Sequence, residues 1–554
     1  MNSFFKPLIL MALIPFASMN AKTLSNGIEL PDVWPPRYKI ADTAKEMDVP
    51  YLREKPSVIP VNVGRQLFVD DFLISHTDME RVFHTPNFYK NNPVVEPDRS
   101  WENTSTGAKY AAPFSDGIWY DDNTGTFKMW YLAGAGSLYK EDGQSFYTGY
   151  AESKDGKHWE KTLCDIYPGT NIVDTCNRDA ATIWLDRFEK NPAQRYKMFN
   201  IERRPSDRRW QIILKYSEDG IHWSKGVAQS GDMSDRTTAF YNPFTNKWAL
   251  SMRASTPVSS RSRFYIENED PETLVSFAHR IRTDAADKNI VFWFTPDDKE
   301  LRHEEYPEVN PGIYNFDCIA YESIILGQYS AWSGPENRVC EEQNIQKRNV
   351  VSLGYSRDGF HFSRPTHQPF MNVNETDGAW NWGNMQSING TPLIVGDSLY
   401  FYSSGRRLND VMWDSHVSTG LATLRRDGFI SMHAGKKECT LTTETLEFDG
   451  RYLFVNVDLK GKLFFDVLNE DGNVIKGFSK KEIKYLRNVN STKILVADLE
   501  LLKDKKIRIK FYMTQGDLYS FWISKWESGE SRGYTAGGGP GLSPSGVDVP
   551  EITD

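Results

Sequence analysis

The sequence predicts an all-β protein, a five-bladed β-propeller followed by a smaller C-terminal β-sandwich, and three observations predict it. The first is a repeated turn. Ser153-Lys-Asp-Gly-Lys-His-Trp159 returns as Ser217-Glu-Asp-Gly-Ile-His-Trp223 and as Ser356-Arg-Asp-Gly-Phe-His-Phe362, with a worn copy at Arg426-Asp-Gly-Phe429. The Asp caps backbone N–H groups, the Gly takes a positive φ, and an aromatic side chain turns back to the core. The second observation is spacing. The four aspartates stand 64, 139 and 69 residues apart, and 139 is close to twice 69, so one unit between Asp219 and Asp358 has lost its marker. Five units of this length match four-stranded antiparallel blades with generous loops. The third is a change of pattern after Gly435, where the repeat stops and alternating strands follow, among them 451–457, 462–468 and 506–512.

In chain order, residues 1–21 carry a lysine near the front, an apolar run from Pro7 to Phe16 and small residues before Lys22, the pattern of a secretory signal peptide. No later stretch has the length a bilayer requires, so a soluble, exported protein, periplasmic or secreted, is expected. Residues 22–60 are rich in proline and charge and read as an arm over the surface. The propeller is expected over 61–435 and the sandwich over 436–527. Residues 528–554, with Gly537-Gly-Gly-Pro-Gly541, read as a disordered tail. Asp70 and Asp71, in the strand that opens this region, read as turn and capping groups.

Apolar residues make up 39% of the chain, aromatics 13%, and the net charge is −9, which leaves no electrostatic reason to bind nucleic acid. Sixteen tryptophans read mainly as packing between blades, with some left as platforms for sugar rings. Five cysteines are too few for a disulfide scaffold, and none has C-x-x-C spacing; Cys164 with Cys176 and Cys318 with Cys340 are either pairs or buried thiols.

The repeat also locates a site, because a propeller brings equivalent positions of every blade around one axis. Asp116, Asp179, Asp317 and Gln386 each lie 39 to 41 residues before a turn aspartate and each precedes an apolar strand of the innermost type. In the unit without a marker, Asp235 and Arg236 take that place. Carboxylates gathered at one mouth cost energy unless they bind or react with something. The next strand returns Glu202, Arg253 and Arg406 to the same end. Glu322 is a rival to Glu202, although its phase matches the opposite end. Oxygen ligands at the funnel would suit a structural calcium ion, but no ordered loop of the EF-hand type occurs, and no cofactor is expected.

These features resemble the five-bladed propeller glycosidases of families 32 and 43, which carry acidic residues on the first strands of successive blades; the family-32 enzymes add a C-terminal sandwich. Asn177-Arg-Asp179 is similar to the Arg-Asp-Pro motif of family 32, with Ala180 in place of the proline, and the resemblance implies a transition-state-stabilising role for Asp179. The Asn-Asp-Pro-Asn-Gly motif of that family is absent at Ser115-Asp-Gly117, and no Glu-Cys motif occurs on the third blade. The segment Arg65 to Ile74 looks more like the opening of a neighbouring family of exported bacterial polysaccharide-degrading proteins.

The expected function is a glycoside hydrolase acting on poly- or oligosaccharides, including uronate or sulfated ones. Breaking a glycosidic bond requires one carboxylic acid to protonate the leaving oxygen and a second carboxylate as base or nucleophile. Asp116 is assigned the second role, Glu202 the acid, and Asp179 the tuning of both. Asp235, Arg236, Arg253, Asp317, Gln386 and Arg406 are assigned to substrate. Two alternatives stay open. One is a lyase or dehydratase acting on uronic-acid sugars, in which arginines neutralise the carboxylate and a His or Tyr removes the neighbouring proton, with His303 and His416 as loop histidines in reach. The other is a carbohydrate-binding protein without catalysis.

Overall fold

The computed structural model describes residues 22–550 apart from 106, 136–145, 278–287 and 408–415; the expected signal peptide, 1–21, lies outside the described residues. The chain is nearly all β, in several sheets. Five successive groups of strands follow one another. The first is Lys109–Asp121, Thr126–Gly134, Phe146–Ser153 and Ile172–Asp174; the second Arg178–Leu185, Tyr196–Arg203, Trp210–Ser217 and Ala228–Gln229; the third Thr238–Asn242, Lys247–Ala254, Ser262–Asn268 and Val291–Phe294. The fourth has Gly312–Glu322, Ile324–Gly334 and Arg348–Ser356, with Met371 bridged to Val351 in the outer position. In the fifth, Asn384–Gln386 and Leu393–Val395 both pair with Ser398–Arg407, followed by His416–Arg425; the outermost strand, Asn87–Phe88, comes from the N-terminal side of the chain.

The first strands of the five groups, with residues 387–389 just after the strand Asn384–Gln386 standing for the fifth, touch in cyclic order. Trp119 Nε1 donates to Ile183 O at 2.8 Å, Ala239 N to Thr182 Oγ1 at 3.0 Å, and Thr238 Oγ1 to Phe316 O at 2.7 Å. Ser387 Oγ donates to Asp317 Oδ2 at 2.6 Å, and Ile118 N to Asn389 O at 3.0 Å. Strands covered on both faces need no polar side, which is why all nine residues of Thr126–Gly134 are buried. Aromatic pairs fill the gaps between groups, such as Trp119 with Trp184 at 4.7 Å and Trp184 with Trp248 at 5.7 Å.

The repeated turn does what its sequence implies. Asp155, Asp219 and Asp358 each accept from two backbone N–H groups at 2.8 to 2.9 Å and from the Nδ1 of His158, His222 or His361 at 2.6 to 2.7 Å, written for the tautomer with hydrogen on Nδ1. Each glycine has positive φ, and its turn meets the preceding group: Trp130 Nε1 donates to Gly220 O at 2.7 Å, Tyr402 OH to Gly156 O at 2.6 Å, and Trp293 Nε1 to Phe360 O at 2.7 Å. The turns therefore tie neighbouring sheets as well as strands.

A separate eight-stranded sheet is built around two 17-residue strands, Tyr452–Leu468 and Arg508–Ser524. Its composition corrects the expected boundaries. Gln66–Leu67, Ile74–Thr77 and Glu80–Phe83 pair with Arg508–Ser524, Cys439–Thr443 and Ile430–Ala434, so residues 66–83 belong with the C-terminal strands rather than with the repeats. The arm is more than a surface strap, since Leu24, Ile28, Leu30 and Tyr51 are buried in this second core. Asp70 caps Phe72 N at 3.1 Å and pairs with the buried Arg357 at 2.8 Å, whereas Asp71 is an exposed partner of Arg81. Arg65 meets Asp427 at 3.0 Å and Glu322 at 3.5 Å.

The expected disorder of 528–554 is overturned for the described part, up to residue 550. Tyr534–Thr535 pairs with Tyr321–Glu322, Tyr120 N donates to Gly537 O at 3.0 Å, and Ile394 N donates to Gly538 O at 2.8 Å. A Cβ at Gly537 would stand 1.8 Å from Gly390 O, so the glycines permit a close approach of two backbones. The segment has no core of its own; it borrows the surface at the ends of the inner strands. All five cysteines are free thiols.

Candidate functional site

At the opposite ends of the inner strands, the backbone departs from regular pairing where the acidic residues sit. Register shifts fall between Ala112 and Gly117, between Arg178 and Ala181, and between Ile313 and Phe316. Ser115 and Arg236 have positive φ, 69° and 54°, conformations that cost energy in residues with a Cβ and collect at functional sites. Ser115 Oγ stands 3.4 Å from both Arg236 Nη2 and Asn315 Nδ2, so the first, third and fourth groups meet there.

Asp116 is fully buried and accepts from Arg178 Nη2 and from Phe114 N, both at 2.5 Å. Burial raises its carboxyl above the ordinary range despite Arg178. Asp179 is partly exposed and accepts from Arg236 N at 3.4 Å. Burial first, and then the nearby Asp235 carboxylate, push it up to about 6, against Arg236 and Arg178. Asp235 goes the other way: burial alone would raise it, but Arg253, bonded to it directly, and Arg261 hold it below the usual range. Two neighbouring carboxyls are thus driven apart, one raised and one lowered.

Glu202 pairs in register with Arg178, is partly exposed, and accepts from Gln211 Nε2 at 3.2 Å and Asn200 Nδ2 at 3.1 Å; burial raises its pKa. Asp317 is buried, with Asn315 Nδ2 and Ser387 Oγ both donating at 2.6 Å, and burial raises it as well. Gln386 is buried and donates to Asn384 Oδ1 at 3.2 Å. Arg406 donates to Tyr110 OH at 3.1 Å.

The equal-phase residues do share one end of the inner strands, but burial divides them. Asp116, Asp317 and Gln386 are buried, while Asp179, Asp235 and Glu202 reach solvent. Glu322 lies at the other end, buried against Arg65 and Arg426. His303 has its Nδ1 bonded to Glu305 N at 3.2 Å in a loop, and His416 pairs in register with Arg407.

Sequence reasoning missed Tyr314, Arg261, Lys347 and Arg178. Tyr314 sits in the register shift of Gly312–Glu322, three residues before Asp317, and Arg178 is next to Asp179, so both were in reach of the phase argument. The guanidinium of Arg261 lies 4.0 Å from the Tyr314 ring centre, Lys347 Nζ 5.2 Å and the Arg236 guanidinium 5.3 Å. Among the described residues, Glu46, Asp297 and His367 have the spacing of metal ligands, but none is on an inner strand, and Arg364 and Lys299 already pair with Asp297 and Glu46. No described helix is long and apolar enough to cross a membrane.

No protein-family model and no curated protein matches the chain. Solved glycoside hydrolases are among the structures it is similar to. A glycosyl hydrolase from Bacteroides ovatus matches at 14% identity over 65% of this chain and 97% of that one, with a TM-score of 0.40. A fructofuranosidase from Schwanniomyces occidentalis, complexed with fructosylnystose, matches at 11% identity over 79% and 98%, with a TM-score of 0.34. An N-acetylgalactosamine deacetylase from F. plautii, in complex with blood group B trisaccharide, matches at 13% identity over 64% and 96%, with a TM-score of 0.37.

Proposed function

We propose that this protein is an exported glycoside hydrolase acting on poly- or oligosaccharides, anionic ones included, with its site at the open mouth of a five-bladed propeller. The cyclic contacts of the five groups support the propeller, and the two long strands with their partners support a sandwich beside it. One observation carries the chemistry: Asp179 and Asp235 are neighbours with opposite protonation tendencies at the partly exposed end of the inner strands.

Asp179 donates its proton to the leaving oxygen, and Asp235, kept ionised by Arg253, serves as base or nucleophile. This revises the roles expected from sequence. Asp116 is sealed and bound to Arg178, so it orients Arg178 and Asp179 instead of touching a sugar. Glu202, with its raised carboxyl, contacts substrate beside Asp179. A second reading, β-elimination on a uronate, is favoured by Tyr314, a base held among cations.

Incubation with neutral and uronate-containing oligosaccharides, followed by product masses, separates the readings. Hydrolysis adds one water across the cut bond. Cleavage without added water, giving an unsaturated product that absorbs in the ultraviolet, would establish elimination in its place.

A further inference from the structure

Around Tyr314 the molecule gathers Arg236, Arg261 and Lys347, with Asp235 as a nearby carboxylate. Among the described residues, Arg236, Arg261 and Lys347 have no carboxylate within ion-pair distance, whereas Arg253 is bound to Asp235. Arg236 is almost completely buried, stacked 3.7 Å from the Phe114 ring centre, yet its Nε and Nη1 have no hydrogen-bond partner; Arg261 Nη1 also has none. A buried guanidinium with two of its three nitrogens unpartnered is costly, and three cations around one ring add mutual repulsion.

The arrangement is held in place from behind. Arg263 Nη2 donates to Arg236 O at 2.9 Å, fixing the left-handed backbone of Arg236, and Lys347 Nζ donates to Asn337 Oδ1 at 2.8 Å and to Tyr314 OH at 3.4 Å. Donors set this way, with free N–H groups, match the flat oxygen edge of a carboxylate or the oxygens of a sulfate.

We propose that Arg236, Arg261, Lys347 and Tyr314 form an anion subsite that receives the carboxylate or sulfate group of a substrate sugar. This rests on reading the adjacent carboxyls as a sugar-processing site, and it holds for hydrolysis and elimination alike. It also moves anion recognition away from Arg253, whose charge Asp235 already meets. Tyr314 reports on the subsite. Burial would raise its hydroxyl and Asp235 would add to that, but Lys347, Arg261 and Arg236 outweigh both and bring it down to about 8. A bound anion would take over the same positive charge and return Tyr314 to a higher value.

The test is calorimetric titration of the full chain with sodium glucuronate, sodium sulfate and glucose, repeated with Arg261→Met, Lys347→Met and Asp179→Asn. Glucuronate or sulfate should bind at least about tenfold more tightly than glucose, and each cation variant should lose about tenfold or more of that affinity. Glucuronate alone identifies a uronate, and sulfate alone a sulfate ester. The ultraviolet difference between the protein and Tyr314→Phe should show a phenolate forming near pH 8 that the bound anion suppresses. Equal affinity for glucuronate and glucose, or unchanged affinity in both folded cation variants, overturns the subsite. Asp179→Asn should still bind the anion. If Arg261-dependent binding persists while no sugar is processed, the catalytic reading fails and the subsite stands.

Discussion

Aspartates occupy two kinds of place in the repeat, and they are treated in opposite ways. In the turns, Asp155 and Asp219 are surrounded by N–H donors from backbone and histidine, which hold them ionised, Asp219 at about 2. At the mouth of the inner strands, Asp116 and Asp317 are buried and Asp179 is partly exposed, each with fewer compensating donors, and all three are raised. A turn carboxylate contributes to stability by being charged. These three carboxyls resist their charge, and the fold keeps them there at a cost, as expected of groups retained for chemistry.

The largest expected effect is at Asp179. Asp179→Asn removes the proposed proton donor but keeps its volume, so turnover should fall by about a thousandfold, read as kcat on whichever sugar the panel identifies. An active Asp179→Asn would erase the distinction between the two places. In the wild type, proton donation by Asp179 requires its acid form, so kcat/KM should decline as pH rises through about 6. A flat profile from pH 5 to 8 would remove Asp179 from the proton transfer.

Smaller effects are expected in the turns. Asp155→Ala removes acceptors for Lys157 N and His158 N and should lower stability by on the order of 1 kcal/mol, with activity per folded molecule intact. Loss of activity at full stability in that variant would show that the turns act on the site. Because the Asp219 carboxyl is depressed, its stabilisation is present at neutral pH and is lost as pH falls from about 4 towards 2. Denaturant titrations of Asp219→Ala against the wild type should therefore converge at the acid end.

The local rules in this fold were legible in sequence. Ser-x-Asp-Gly-x-His encodes its own turn within six residues, and the constant distance from turn to inner strand placed Asp116, Asp179 and Asp317 at one end. Features that depend on distant pairing were hidden. Residues 66–83 join strands beyond residue 429, a choice made by edge complementarity between segments far apart in the chain. The glycines of 537–539 look unfoldable by composition, yet they supply the close contact that other residues would block. Tyr314 meets Lys347, which lies 33 residues further on and just before Arg348–Ser356, and burial, which separates Asp116 from Asp179, leaves no mark in spacing.

Stability against pH, measured on the wild type and Asp179→Asn, tests most directly whether the fold holds Asp179 against its charge. Between about pH 4 and 6 the unfolded chain has released this proton while the folded protein still binds it, so this group makes stability fall as pH rises through that window and then level off. The asparagine variant lacks that loss and should exceed the wild type by on the order of 2 kcal/mol at pH 7, with the difference shrinking towards pH 4. Parallel curves for the two proteins, or a variant less stable than the wild type at neutral pH, would contradict the account.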